Sequence, residues 1–230
     1  MKKCAKIAKA LIRRFLHPLD PEREIAVRTA DGRWVRDVSY AFFPEVLESL
    51  PVVEVYQGIK GELLFDIDAH DADTVYSAYA SALEEARRLL EVLERELGIR
   101  PSAAVLTGRG AHVLTNMELD REARKALAEY LLSSRCRPPV KIDAKALVDV
   151  KRLRRWPGSP NVKTGAVAAL IEPERLFSMT AEEAVEATFP MRRVYVAAAV
   201  SKAVKTPLGE MLEPGRRRVD VHTALWLACS

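Results

Sequence analysis

Amides are nearly absent: Gln57, Asn116 and Asn161 are the only three in 230 residues. Scarce amides beside abundant Arg and Glu fit a protein from a hot environment. Cysteine is sparse too. Cys4, Cys136 and Cys229 are far apart, odd in number and form no C-x-x-C pair. Neither a zinc site nor a disulfide framework is supported, so three free thiols in a reducing cytoplasm are expected and no zinc. No apolar run is long enough to cross a bilayer, so no membrane partner is expected. The basic start MKKCAKIAKALIRRFL does not read as a signal peptide, because Arg13 and Arg14 interrupt its apolar part and no small-residue cleavage site follows. Repeats and low-complexity stretches are also missing.

What remains is a globular composition, 49% hydrophobic and 30% charged, in a chain long enough for one sizeable core. A net charge of +4 permits a nucleic-acid partner without demanding one. Ile7, Leu11, Ile12 and Phe15 share one face of a basic helix, which either packs on the domain or meets a partner. Strands are expected over 24–29, 34–40, 52–56, 61–68, 103–107, 111–114, 166–171 and 194–200. A long helix is expected over 75–97, capped by Asp73-Thr74 and stopped by Gly98, with others over 120–132 and 222–229. The alternation indicates an α/β or α+β core.

Three segments carry candidate chemistry. In Leu63-Leu64-Phe65-Asp66-Ile67-Asp68, strand alternation turns Leu63, Phe65 and Ile67 to the core and projects Asp66 and Asp68 together from the other face. Paired carboxylates repel unless a cation lies between them, and Mg²⁺ or Mn²⁺ suits oxygen ligands and phosphates. The bland alternative is an acidic strand end running into the turn Ala69-His70-Asp71-Ala72-Asp73. An EF-hand is excluded, since the required glycine and glutamate are missing. Thr107-Gly108-Arg109-Gly110-Ala111-His112 lies between two strands and reads either as an anion-binding turn, with Arg109 and His112 on phosphate oxygens, or as an ordinary hairpin. Lys151 to Arg155 and the loop Trp156 to Gly165 read either as a phosphate-binding segment or as a basic surface helix. Asp143 and Asp149 upstream are candidates for a third metal ligand.

Taken together, these segments resemble the small, catalytic subunit of archaeal and eukaryotic primases. Glu62 to Asp68 resembles that family's metal-binding motif, and Thr107 to His112 its Ser-Gly-Arg-Gly-x-His turn. Ile142-Asp143 followed by Leu147 to Gly165 resembles its third block, Arg23 to Val27 its opening strand, and Val219 to Cys229 its C-terminal helix. The resemblance implies a primase catalytic core of two small sheets flanked by helices, with residues 1–230 as one catalytic domain. It places Asp66, Asp68 and Asp143 on two divalent ions, with Asp143 preferred to Asp149. It places Thr107, Gly108, Arg109, His112, Arg155, Ser159, Asn161 and Lys163 on the nucleotide, and Lys151, Arg152 and Arg154 near the template backbone.

The activity implied is template-directed primer synthesis from nucleoside triphosphates by two-metal nucleotidyl transfer. The expected partners are single-stranded DNA and an iron–sulfur-containing large subunit, in a cytoplasmic, nucleoid-associated setting. Three departures from the family pattern stand out. Asn161 replaces a histidine, which predicts weaker nucleotide binding; Thr107 replaces a serine; and the zinc module and helical insertion of larger relatives are missing. The rival readings are a stand-alone primase-polymerase, a non-catalytic DNA-binding subunit and a metal-dependent phosphoesterase.

Overall fold

The alternation expected around Asp66 is the one the chain adopts, and it organises the molecule. The computed structural model describes residues 1–69 and 71–230; His70, in the turn after the paired aspartates, lies outside the described residues. In chain order the elements are α1 (Lys2–Phe15), β1 (Ile25–Thr29), β2 (Trp34–Val38), α2 (Phe43–Ser49), β3 (Val52–Gly58), β4 (Leu63–Asp68), α3 (Val75–Glu91), β5 (Ala103–Leu106), β6 (Gly110–Thr115) and α4 (Arg121–Leu132). There follow α5 (Ala144–Val148), β7 (Leu153–Arg155), β8 (Ala169–Ile171), α6 (Ala181–Thr188), β9 (Tyr195–Val200), β10 (Val204–Lys205), β11 (Met211–Leu212), β12 (Gly215–Asp220) and α7 (Val221–Cys229).

Two antiparallel four-stranded sheets form the core, ordered β2-β1-β3-β7 and β4-β6-β5-β8. In the second sheet, Leu63, Phe65, Ile67, Val113, Ala111, Ala104 and Leu106 share one face and pack against α3 in the largest hydrophobic cluster. The opposite face carries Leu64, Val105 and Leu114, which close a small cluster with Ile59 and Ala168. Beyond that cluster the same face becomes polar, with Asp66, Asp68 and His112. The first sheet buries Ile25, Val27 and Val55 with Ile12 of α1. The basic N-terminal helix therefore packs on the domain through Leu11 and Ile12, each 1% exposed. Two-stranded ribbons β9–β12 and β10–β11 complete the α+β fold. No helix of the described residues is long and apolar enough to cross a membrane.

Several elements depart from the sequence reading. The helix expected over 75–97 is regular only to Glu91 and continues as a wider π turn over Val92–Glu96, ending at Gly98 with φ 64°. The basic stretch is neither a helix nor a free loop. Leu153–Arg155 pairs with β3, setting Arg155 opposite Tyr56. Asp149 ends α5, its N–H donating to the Lys145 carbonyl at 3.1 Å, and its carboxylate accepts the Lys151 N–H at 3.0 Å in a tight turn. β12, which pairs Arg216 to Arg218 with β9, has no counterpart in the hydrophobic pattern because its charged residues interrupt any alternation.

The expectation of three free thiols is corrected. Cys4 and Cys229 form a disulfide, while Cys136 is free and buried. The cause is packing: α1 lies against α7, with Cys4, Ala8, Leu11 and Leu225 in one cluster, so the first and last helices bring together sulfurs 225 residues apart. Closing so long a loop restricts the unfolded chain by up to about 5 kcal/mol on the chain-entropy account. Reduction, or Cys4→Ser, is expected to lower the melting temperature clearly. Identical melting curves with and without reductant would contradict a bond in solution.

Candidate functional site: a carboxylate edge beside a cationic cleft

The polar end of β4 meets the segment between α5 and β7. The Asp143 N–H donates to the Asp66 carbonyl at 2.8 Å, which pins the start of α5 to the aspartate strand. One carboxylate oxygen of Asp143 caps α5, accepting from Lys145 and Ala146; the other faces Arg152 at 3.4 Å. The same Arg152 nitrogen lies 3.6 Å from Asp66. Two carboxylates far apart in the chain thus converge on one cation. Asp68 projects from the same strand face as Asp66 and is exposed. Asp149 stays outside this group. Among the described residues, no group of three or more His, Cys, Asp or Glu side chains is gathered closely enough to hold a metal ion.

His112 sits directly across the ladder from Asp66, its Nε2 3.5 Å from the carboxylate. Burial pushes its imidazole down to about 3, and the guanidiniums of Arg154, Arg155 and Arg152 push the same way, outweighing Asp68. The ring is therefore neutral, and its Nδ1 has no hydrogen-bond partner among the described residues. Arg154 is buried as well, stacked 4.5 Å over Trp156, and desolvation lowers it to about 10. It does not form an open template-facing surface; Lys151 is exposed.

Behind this edge lies a buried clasp that sequence reasoning passed over. Glu54, fully buried on β3, pairs with Arg155 at 2.9 Å, accepts from the Tyr56 hydroxyl at 2.8 Å and from the Val162 N–H at 3.1 Å. Burial alone would raise its carboxyl, but Arg155, Tyr56 and Val162 together hold it below the ordinary value. The signal was present: one acid inside Val52-Val53-Glu54-Val55 has no place in a core strand unless it is paired. Arg155 is engaged by Glu54, by the Tyr56 ring at 5.0 Å and by the Pro160 carbonyl. Ser159 is also buried, its hydroxyl accepting the Val55 N–H at 2.7 Å.

The Thr107–His112 turn and the Asn161–Gly165 loop are stitched together. The Asn161 amide donates to the Thr107 carbonyl at 2.8 Å, and its oxygen accepts the Lys163 N–H at 3.1 Å. Asn161 thus holds the two loops in register. Gly108, at φ 101°, donates its N–H to the Tyr79 hydroxyl at 2.8 Å, and a Cβ there would lie 2.7 Å from Thr164 Oγ1. This seam presents Arg109 and Lys163 to a cleft of about 230 Å³, also lined by Thr74, Thr164, Lys205 and Trp226. The Arg109 guanidinium donates to the Ala72 carbonyl at 2.7 Å. Lys205 was not foreseen, since β10 is two residues long and carries no motif.

Geometry therefore sorts the residues singled out by sequence. Asp66, Asp68, Asp143 and His112 form the acidic edge, and Arg109 and Lys163 the cleft. Thr107, Gly108, Arg155, Ser159 and Asn161 brace these groups through contacts within the protein.

The class defined by these features is an α+β fold of two small antiparallel sheets, one of which carries a carboxylate edge next to a cationic cleft. In sequence the chain resembles archaeal-type DNA primase small subunits. It is 34% identical over 110 residues to the DNA primase small subunit of Saccharolobus islandicus, covering 37% of this chain and 33% of that protein. It is 30% identical over 160 residues to that of Pyrobaculum calidifontis, covering 48% and 51%, and 27% identical over 200 residues to that of Pyrobaculum aerophilum, covering 65% and 64%. The matched stretch thus spans a third to under two thirds of these relatives' lengths. No protein-family model matches the chain.

Two tests follow from the geometry. Glu54→Gln leaves Arg155 buried without a counter-charge and is expected to cost about 3–5 kcal/mol of stability in urea denaturation; a loss below about 1 kcal/mol would show that the clasp is not formed. His112 is held unprotonated in the fold but binds a proton near 6.5 when unfolded. Its contribution to stability is therefore complete above about 6.5 and is lost as pH falls toward about 3. The His112 ring shifts in NMR should stay flat between about pH 8 and 5; a midpoint near 6.5 would refute the burial argument.

Proposed function

We propose that this chain is a primase catalytic subunit that joins nucleoside triphosphates on a single-stranded DNA template, releasing pyrophosphate. The observation that carries the reading is the convergence of Asp66 and Asp143 on one Arg152 nitrogen, at 3.6 and 3.4 Å, beside the Arg109–Lys163 cleft. A guanidinium standing between two carboxylates marks where positive charge is needed, and an all-oxygen donor set suits hard divalent ions such as Mg²⁺ or Mn²⁺. Asp66, Asp68 and Asp143 would hold two such ions. Bound there, they would lower the energy of the attacking 3′-hydroxylate and of the leaving pyrophosphate.

The chain's own residues do the positioning. Arg109, Lys163 and Lys205 line the cleft and hold the polyphosphate by charge-assisted hydrogen bonds. His112, being neutral, can donate or accept a hydrogen bond at the acidic edge without adding charge. Arg155, Ser159, Thr107, Gly108 and Asn161 keep the nucleotide-facing groups in place. Asn161 is engaged at both ends of its amide and cannot supply the charge of a protonated histidine, which supports weaker nucleotide binding than in relatives with histidine there.

The working setting is the cytoplasm at the nucleoid, with a primase large subunit as partner. Primer synthesis by this chain alone would favour a stand-alone primase-polymerase instead.

The deciding experiment is primer synthesis on single-stranded DNA with Mg²⁺ or Mn²⁺, comparing ribonucleotides with deoxyribonucleotides. Asp66→Asn and Asp143→Asn should each reduce synthesis roughly a hundredfold or more. Lys205→Ala should raise the nucleotide KM roughly tenfold with a smaller change in kcat. Full synthesis by Asp143→Asn would remove the basis for the proposal.

A further inference from the structure

The ribbon β9–β12 lies outside the acidic edge and its cleft, and most of its surface is exposed. Its register sets Arg216 opposite Ala199, Arg218 opposite Ala197 and Asp220 opposite Tyr195, with all six side chains on one face. The middle of that face is a floor of two alanines flanked by two guanidiniums. Tyr195, 51% exposed, stands at one end with Arg218 stacked 4.9 Å from its ring. The face runs into a depression of about 630 Å³ whose lining includes Arg192, Arg193, Tyr195 and Arg218.

Three acids, Glu186, Glu210 and Asp220, share the depression with Arg192, Arg193 and Arg218, but they do not pair with every arginine of the patch. Arg192 reaches Glu210 at 3.8 Å, and Arg217 is turned back onto the Glu213 and Pro214 carbonyls. Among the described residues, Arg193, Arg216 and Arg218 have no carboxylate at ion-pair distance. Elsewhere the chain pairs its arginines repeatedly, as at Arg13, Arg23, Arg33, Arg36 and Arg88. Of the acids near the patch, Asp220 is occupied capping α7 and Glu186 sits on the wall of the depression. Unpaired like charges side by side on a strand repel and stabilise nothing. They are useful when a polyanion lies across them.

We propose that this face binds single-stranded nucleic acid, with Arg216, Arg218 and Arg193 on the phosphates and a base stacked on Tyr195. Arginines at alternate strand positions, with Cα atoms about 7 Å apart, suit a phosphate backbone running along the ribbon. The alanine floor lets that backbone approach closely. A sequence-tolerant stack on one exposed aromatic is the usual companion of such a groove. An acidic protein partner would meet the same charges and could use Phe189, Met191 and Leu212 in the depression, so it is an outcome of the test. The regular spacing of the ribbon arginines beside one exposed aromatic favours a nucleic-acid strand.

The test is fluorescence anisotropy of a short labelled single-stranded DNA, titrated with the full chain at several salt concentrations, without nucleotide or divalent metal. It is thus read independently of primer synthesis. Arg216→Glu/Arg218→Glu should weaken binding roughly tenfold or more and flatten the log-affinity against log-salt slope by about 1.4. Tyr195→Ala should weaken it roughly fivefold or more with little change of slope. Arg95→Glu/Arg100→Glu, the same charge change on exposed residues remote from the ribbon, should do much less. Melting curves check folding, and Arg216→Gln/Arg218→Gln replaces the reversal variant if that one melts early. The proposal is overturned if the wild type binds no DNA, if the control loses as much as the ribbon variant, or if the slope is unchanged. It is equally overturned if only an acidic polypeptide such as polyglutamate is bound.

Discussion

Glu54 is the constraint on which the rest of the site is built. A single buried carboxylate gathers two guanidiniums, those of Arg28 and Arg155, with a phenol and a backbone N–H. Each bond has a distinct consequence. Arg155 is turned into the space between the two sheets, close enough to His112 to help keep it uncharged. The Val162 N–H fixes the loop that presents Lys163, and Asn161 in that loop ties it to the turn that presents Arg109. The cationic cleft is therefore not a chance meeting of exposed side chains. It is held from below by a polar network inside a fold whose other interior contacts are largely aliphatic.

Electrostatics at the acidic edge follow from how that interior is filled. Three arginines of one short segment enter or border the space facing β4, and only one has a fully buried counter-charge. Arg155 is compensated by Glu54. Arg154 spends its charge against the Trp156 ring. Arg152 remains at the rim, 36% exposed, shared between Asp66 and Asp143. The gradient from a buried pair to a rim cation leaves the carboxylates partly neutralised yet reachable from solvent. A ligand that carries its own positive charge can enter there by displacing one flexible side chain.

Much of this was legible in the sequence because it is local. Period-two alternation in Leu63 to Asp68 fixed which face Asp66 and Asp68 occupy, and the glycines of Thr107 to His112 marked a turn that needs φ near 101° at Gly108. Capping signals placed α3 and α4 to within a residue at their starts. Features that depend on distant partners were hidden. Leu153 to Arg155 forms a strand because β3 offers a free edge, not because its own residues favour one. Lys205 reaches the cleft from a two-residue strand, and the bonds by which Asn161 ties two loops together have no local signal. The role of Glu54 could have been suspected from an acid within an aliphatic run, but its partners could not.

The Cys4–Cys229 bond has a consequence beyond the helices it joins. A helix frays where nothing ties it down, and here α1 and α7 are welded to each other across 225 residues of chain. The last helix is also stitched inward: His222 donates from Nδ1 to the Gly165 carbonyl at 2.8 Å while its Nε2 accepts the Met191 N–H, and Gly165 closes the loop that carries Lys163. Heat that would peel α7 away must therefore loosen α1 with it. The pocket wall formed by Trp226 is in this way anchored to α1.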